Sequence, residues 1–403
     1  MGGLRDVEYL PEPSDRSIVS AVDPTVIGFQ NEWRSEIMGW APLPVEPVAR
    51  TRRRPRSLGG LVFFALLISA SLVMWQNQWV IVELPPPQSE WAFADSGIRS
   101  LQEDGLSGAG VRVCMVDTGI DLSHDAFSGK DIAFKDFVGT STTPVDYGAV
   151  AHGTLMAGLL IASGHQTGSA PNVTFAMAAA LQDNGKGENT GFDKDVADAI
   201  RWCQFDFQAD IISLSLGGTE RDDGSGEGSS AAATRQATDA GVFVVAAAGN
   251  DGLEDDGDVA SPGSVRLAIS VGATTQTGEI WSNSSVGARE DVEANQRESP
   301  HQKPEIVAPG HRIISTGEDN LWYSSSGTSD STVFVTGALA LILEDQPLLK
   351  PSASQDASCI ERVKLSLAQS AQPLSGDGHD VRSGYGSLKA DSWLANIGAV
   401  SDC

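Results

Sequence analysis

The chain has 403 residues, 53 acidic against 27 basic side chains, a net charge of −26 and 41% hydrophobic residues. So acidic a polypeptide repels phosphate backbones, which excludes nucleic-acid binding through phosphate contacts. The length suits one α/β domain of ~300 residues with additional segments.

Residues 1–57 lack helical or strand periodicity, carry scattered prolines and end in the basic run Arg50-Thr-Arg-Arg-Arg-Pro-Arg56. They read as a largely disordered tail. Acidic and basic residues balance within this stretch, so the net charge lies beyond it. Residues 58–75, Leu58 to Trp75, are uncharged and apolar on every side. As a helix they reach about 27 Å, the thickness of a bilayer's hydrocarbon core. Trp75 and Trp79 fall where an aromatic belt would sit, and the preceding arginines place the N-terminus in the cytoplasm. An uncleaved signal anchor is favoured over a cleaved signal peptide, because the first Ala-x-Ala, Ala92 to Ala94, lies well beyond the apolar run. Residues 76–93, with Glu83-Leu-Pro-Pro-Pro87, form a stiff linker, and 94–403 form an extracellular domain on a single-pass anchor at the cell membrane. Its acidity suits a salt-adapted prokaryote or an ordinary acidic extracellular protein.

Within 94–403, the apolar runs Val111–Val116, Thr174–Ala180, Ile211–Leu216, Val242–Ala248 and Leu267–Gly272 predict buried strands. The helical patterns Phe192–Cys203 and Ser230–Ala240 lie between them. This alternation predicts an α/β fold with a doubly wound parallel sheet. Ligands of such sheets bind at the carboxyl edge, where Asp117 and the Asn250 loop follow their strands.

Three strings carry the chemistry: Val116-Asp-Thr-Gly119, His152-Gly-Thr154 and Gly327-Thr-Ser329. Alone, they are a common strand end, a helix cap and a turn. Together, in that order, they supply an acid, a base and a hydroxyl nucleophile. A serine hydroxyl needs an imidazole to take its proton and a carboxylate to hold that imidazole. Ser329 opens a helical run, so charge developing beside it meets unpaired N–H groups and the positive end of a dipole. Asn250 stands in Gly249-Asn-Asp-Gly252, a turn in which Asn tolerates positive φ and can also aim its amide at a substrate carbonyl.

On these residues the chain resembles the subtilisin-like serine proteases, from about Ala94 to about Asn396, with the family's chain order Asp, His, Ser. Ser213-Leu-Ser-Leu-Gly-Gly218, Val244-Val-Ala-Ala-Ala-Gly-Asn250, Lys303-Pro-Glu-Ile-Val-Ala-Pro-Gly310 and Gly384-Tyr-Gly-Ser-Leu388 resemble further family signatures. The resemblance implies an endopeptidase acting on polypeptides through an acyl-enzyme. Ser329 would be the nucleophile, His152 the base, Asp117 its orienter, and Asn250 with the Ser329 N–H the oxyanion hole. Ser215, Leu216 and Gly217 would pair with extended substrate, while Ala248 and Gly249 would line the pocket before the cut. Asp251, on that rim, would weakly favour a basic residue.

The nucleophile region departs from the family pattern: Val333 replaces the usual proline, Phe334 the usual histidine, and Asp330 follows the serine. Without proline the helix runs on unkinked. Asp330 is favoured by the helix dipole yet would repel an oxyanion close by, unless it faces solvent and is screened, and the expectation is an active enzyme with a tuned or slow acyl-transfer step. The alternative is a catalytically silent or weakly active peptide-binding module. Many secreted relatives carry a folded pro-domain that would not fit between Trp75 and Val111, which argues against their usual zymogen control.

Cys114 reads as a small apolar core residue, Cys203 ends a helix, and Cys359 with Cys403 could pair in an oxidising compartment. No zinc pattern is present. Calcium, which secreted relatives often bind, remains a candidate cofactor, but Ala126 occupies the usual calcium aspartate's place. The acidic loop Glu254-Asp-Asp-Gly-Asp258 reads as solvated rather than ligating. Asn172-Val-Thr174 and Asn283-Ser-Ser285 satisfy the glycosylation rule.

Overall fold

A computed structural model describes residues 62–69, 88–218, 228–252, 257–288, 297–351 and 357–398. The chain divides into two units, Met1–Leu84 and Pro85–Cys403. In the first, residues 62–69 form a helix with exposed side chains. The expected membrane span 58–75 otherwise lies outside the described residues, and among those described no helix is long and apolar enough to cross a membrane.

The second unit is built on seven strands in the order β2-β3-β1-β6-β7-β8-β9. They are β1 (Arg112–Asp117), β2 (Ile132–Asp136), β3 (Thr174–Ala179), β6 (Ile211–Leu214), β7 (Phe243–Ala247), β8 (Ile269–Thr274) and β9 (Ile306–Pro309). Every pairing in this sheet is parallel. Two antiparallel pairs stand apart, β4 (Gln182–Asp183) with β5 (Asn189–Thr190), and β10 (His311–Thr316) with β11 (Trp322–Ser326).

Strand side chains alternate between faces, so one strand feeds two cores. Val113 and Met115 pack with Met177, Val245 and Ile269 on one face. Cys114 and Val116 pack with Ala178, Ile212 and Val244 on the other. Because both faces are covered, the strands read as continuous apolar runs. The second face is closed by α4 (Asp193–Phe205) and α5 (Ser229–Asp239), whose buried sides carry Ile200 and Ala233. The first is closed by α3 (His152–Ile161) and α6 (Thr328–Asp345), with α1 (Glu90–Asp95), α2 (Ile98–Glu103), α7 (Ser358–Ser370) and α8 (Ala390–Ile397) around them. Helix α6 is buried from Thr328 to Leu343, the polar residues of its first turn included. It continues through Val333 in helical conformation.

The five expected strands and two expected helices are present, with ends displaced by a few residues. The cysteine expectation is corrected: Cys114 on β1 is disulfide-bonded to Cys203 on α4, tying the sheet to its covering helix. Sequence spacing gave no cue, since 89 residues separate the two. Cys359 is also disulfide-bonded, and Cys403 lies outside the described residues.

The Lys303–Gly310 segment has a structural role. Lys303 Nζ donates to the carbonyls of Val265 and Ala268 at 2.8 and 2.7 Å, and Lys364 Nζ to those of Arg266 and Ala268 at 2.6 and 2.9 Å. Both ammonium groups meet Glu305 Oε1, at 2.9 and 2.6 Å, while Glu305 Oε2 accepts the Ser270 N–H at 2.7 Å. Buried charges persist only when paired in this way.

Candidate active site

Strand β1 lies between β3 and β6, so its last residue, Asp117, emerges at the carboxyl edge with no solvent exposure. His152, the first residue of α3, places Nδ1 2.7 Å from Asp117 Oδ1, which also accepts the Thr118 N–H at 2.7 Å. The glycines of both motifs make this approach feasible. A Cβ on Gly119, whose φ is +119°, would collide with the Val145 carbonyl, and one on Gly153 with the Gly119 carbonyl.

A residue that sequence reasoning missed joins the two motifs. Asp146 Oδ1 accepts from Thr118 Oγ1 at 2.6 Å and the Gly148 N–H at 2.9 Å. Its Oδ2 accepts from the Thr154 N–H and Oγ1 at 2.8 and 2.7 Å. The Gly153 N–H donates to Thr118 Oγ1 at 2.8 Å. Asp146 therefore caps the start of α3, a task for which an acidic residue just before a helix is the available signal. Between it and His152, Val150 and Ala151 hold left-handed φ of 52° and 51°. Non-glycine residues pay strain in that region.

Burial opposes a charge on His152, but the carboxylates of Asp117, Asp330 and Asp146 outweigh it and raise the imidazole to about 9. A proton on His152 is thus held firmly.

Ser329 occupies the first turn of α6 and is 8% exposed. Its Oγ donates to the Ser215 carbonyl at 3.2 Å, and Ser215 Oγ to the Ser329 carbonyl at 3.3 Å. Among the described residues no hydrogen bond joins Ser329 Oγ to His152. Catalytic bonds of this kind are often formed only with substrate in place.

Asn250 follows β7 in the expected loop, though the left-handed φ values there belong to Gly249 and Gly252, at 110° and 71°, and not to Asn250. Its Oδ1 accepts the Thr328 N–H at 2.9 Å and Thr328 Oγ1 at 3.0 Å. That fixes the amide and leaves Nδ2 without an acceptor among the described residues, beside Gly327. The Ser329 N–H, in the first helical turn, has no intrahelical partner. Two donors thus remain uncommitted next to the serine.

Beyond β6, Gly218 exchanges both backbone hydrogen bonds with Ser261, at 3.0 and 2.8 Å. No backbone hydrogen bond is recorded for Leu216 or Gly217 among the described residues, so that edge is open. Ser215 is buried against Ser329. Ala248 is committed to Val271 and Ala260 at 3.0 and 2.7 Å, and the Gly249 N–H to Thr328 Oγ1 at 3.2 Å. These two residues can shape a wall but have little left to donate. Asp251 is exposed on the adjoining loop.

Asp330 does not face solvent: it is 1% exposed, and its Oδ1 accepts from Ser325 Oγ. The acidic loop offers little to calcium, because Asp258 is paired with Arg297 at 2.6 Å and accepts the Val259 N–H at 2.8 Å. Residues 254–256 lie outside the described set, and no cluster of metal-ligating side chains occurs among the described residues. The described donors do not fit a calcium site.

Comparison with known proteins places this geometry in context. The sequence profile of the subtilase family matches residues 108–386. Serine protease AprX of Bacillus subtilis is 34% identical over 65% of this chain and 63% of its own, so the chain spans less than two thirds of that relative. Subtilisin DY of Bacillus licheniformis is 32% identical over 67% of this chain and 89% of its own. Among solved structures, the prenylagaramide maturation protease PagA shares the fold with a TM-score of 0.59 at 24% identity, covering 76% of this chain and 99% of that one.

Proposed function

The chain belongs to the subtilase family, and from that premise we propose that it is a serine endopeptidase whose triad is Asp117, His152 and Ser329. The observation that carries the reading is the 2.7 Å bond from Asp117 to His152 at the sheet edge where Ser329 and the anchored Asn250 amide also lie. Ser329 Oγ attacks the scissile carbonyl as His152 takes its proton. Asp117 holds the ring through Nδ1, leaving Nε2 for the serine. The tetrahedral oxyanion is met by Asn250 Nδ2 and the Ser329 N–H. His152 then returns the proton to the leaving amine, and water repeats the sequence on the acyl-enzyme. The open edge at Leu216 and Gly217, next to Ser215, supports pairing with an extended peptide, and Ala248 with Gly249 supplies the wall beside the residue before the cut.

The apolar run 58–75, helical and exposed over 62–69, supports an anchor in the membrane with the peptidase domain outside. The Cys114–Cys203 disulfide agrees with an oxidising compartment. A silent peptide-binding module draws its support from the Ser329 hydroxyl, which rests on Ser215 rather than on His152. Fluorogenic-peptide hydrolysis separates the two readings. The full-length chain should turn over, and Ser329→Ala should abolish turnover while peptide binding survives; binding without turnover in both proteins contradicts the endopeptidase reading.

A further inference from the structure

A carboxylate in the first turn of a helix ordinarily looks to water, where the dipole favours it at no desolvation cost. Asp330 is instead enclosed. Ser325 of β11 donates to its Oδ1. The partner strand β10 is fastened to α3, with Ser315 Oγ donating to the Leu155 carbonyl at 2.7 Å and Thr316 Oγ1 to the Thr154 carbonyl at 2.8 Å. Helix α3 begins at His152. Asp330 therefore sits where the nucleophile helix, the β10–β11 pair and the histidine helix converge.

Successive helical side chains diverge by about 100°. The Ser329 hydroxyl accordingly turns to the Ser215 carbonyl and the Asp330 carboxylate to Ser325. A negative charge can thus sit next to the nucleophile in sequence without occupying the oxyanion's place.

We propose that Asp330 is a positioning residue for His152, a second enclosed carboxylate whose charge holds the imidazolium proton and moves the pH range of base catalysis upward. The assignment rests on the triad reading given above. Three carboxylates act on His152: Asp117 from β1, Asp146 from the segment before α3 and Asp330 from α6. Asp117 is bonded to the ring itself, and Asp146 spends its charge on four donors. The charge of Asp330 is met by the Ser325 hydroxyl and its own backbone N–H, fewer donors than Asp146 has, and more of it is left to act on the imidazole. Burial pushes Asp330 up to about 7, against the pull of Ser325 and His152, so the two groups titrate as a coupled pair.

The test follows the His152 imidazole by NMR titration of the full-length chain, with His152→Gln identifying its signal, alongside the pH profile of kcat/KM. Asp330→Asn should lower the His152 midpoint by about one unit, giving about tenfold more base form at a fixed pH on the acid limb. The kcat/KM limb should move with it. Ser325→Ala, which removes the donor that keeps Asp330 ionised, should shift the midpoint in the same direction by less. It decides the matter should Asp330→Asn fail to fold. A residue that only packs would lower the melting temperature and leave the midpoint in place; an unmoved midpoint in folded variants overturns the proposal. A shifted midpoint in a protein that hydrolyses no peptide would support this assignment while refuting the peptidase reading.

Discussion

Val150 and Ala151 bring the chain to His152 through two left-handed residues, one of them β-branched and exposed. An exposed side chain gives up little packing, so Val150→Asn, which tolerates that region, should stabilise the protein by about 1 kcal/mol in denaturant unfolding. Asn250 makes a different prediction. In subtilisin a single oxyanion donor is worth about a hundred- to a thousandfold in turnover, and Asn250→Ala should cost a similar factor in kcat with KM nearly unchanged. With the imidazole raised to about 9, the base form grows as pH rises. The kcat/KM of the unmodified enzyme should therefore climb from neutral pH toward about 9, and a plateau already reached near pH 7 would contradict that. Asp117, His152, Ser329 and Asn250 were legible because each stands in a short string that the chemistry constrains. Asp146 and the buried state of Asp330 were not, since their surroundings come from elements remote in sequence.

The glycines of the first and second motifs touch, and the Cys114–Cys203 bond fixes the same strand from its other face. Replacing both cysteines with alanine should cost about 2–4 kcal/mol, read as a lower denaturation midpoint than that of the oxidised protein. Glu305 presents a sharper case, because two buried lysines depend on it. Glu305→Ala should destabilise by about 3–5 kcal/mol, more than loss of an exposed ion pair would explain. Five strands of the parallel sheet could be read as apolar runs because both faces are covered, whereas β9, buried but only four residues long, was too short to stand out. The partly buried edge strand β2 and the β10–β11 pair lacked that pattern and emerged only with the structure. The continuity of α6 through Val333 followed from the missing proline.

For the whole molecule, the charge of −26 is a property of the surface as a set. Self-repulsion of that size should be relieved by counterions, so the unfolding midpoint should rise with salt; a midpoint indifferent to salt removes the salt-adapted reading. Composition made that field legible from the start, and the motif order made the family legible. What the sequence could not supply was how the three motifs share one edge of a sheet with a third carboxylate, beside Asp117 and Asp146, enclosed behind the nucleophile. The most direct measurement of the central claim is labelling of the folded, full-length protein with a fluorophosphonate, followed by peptide mapping. The account predicts covalent label on Ser329, absent in Ser329→Ala and strongly reduced in His152→Ala. A folded protein that takes no label at Ser329 across neutral to alkaline pH would contradict it.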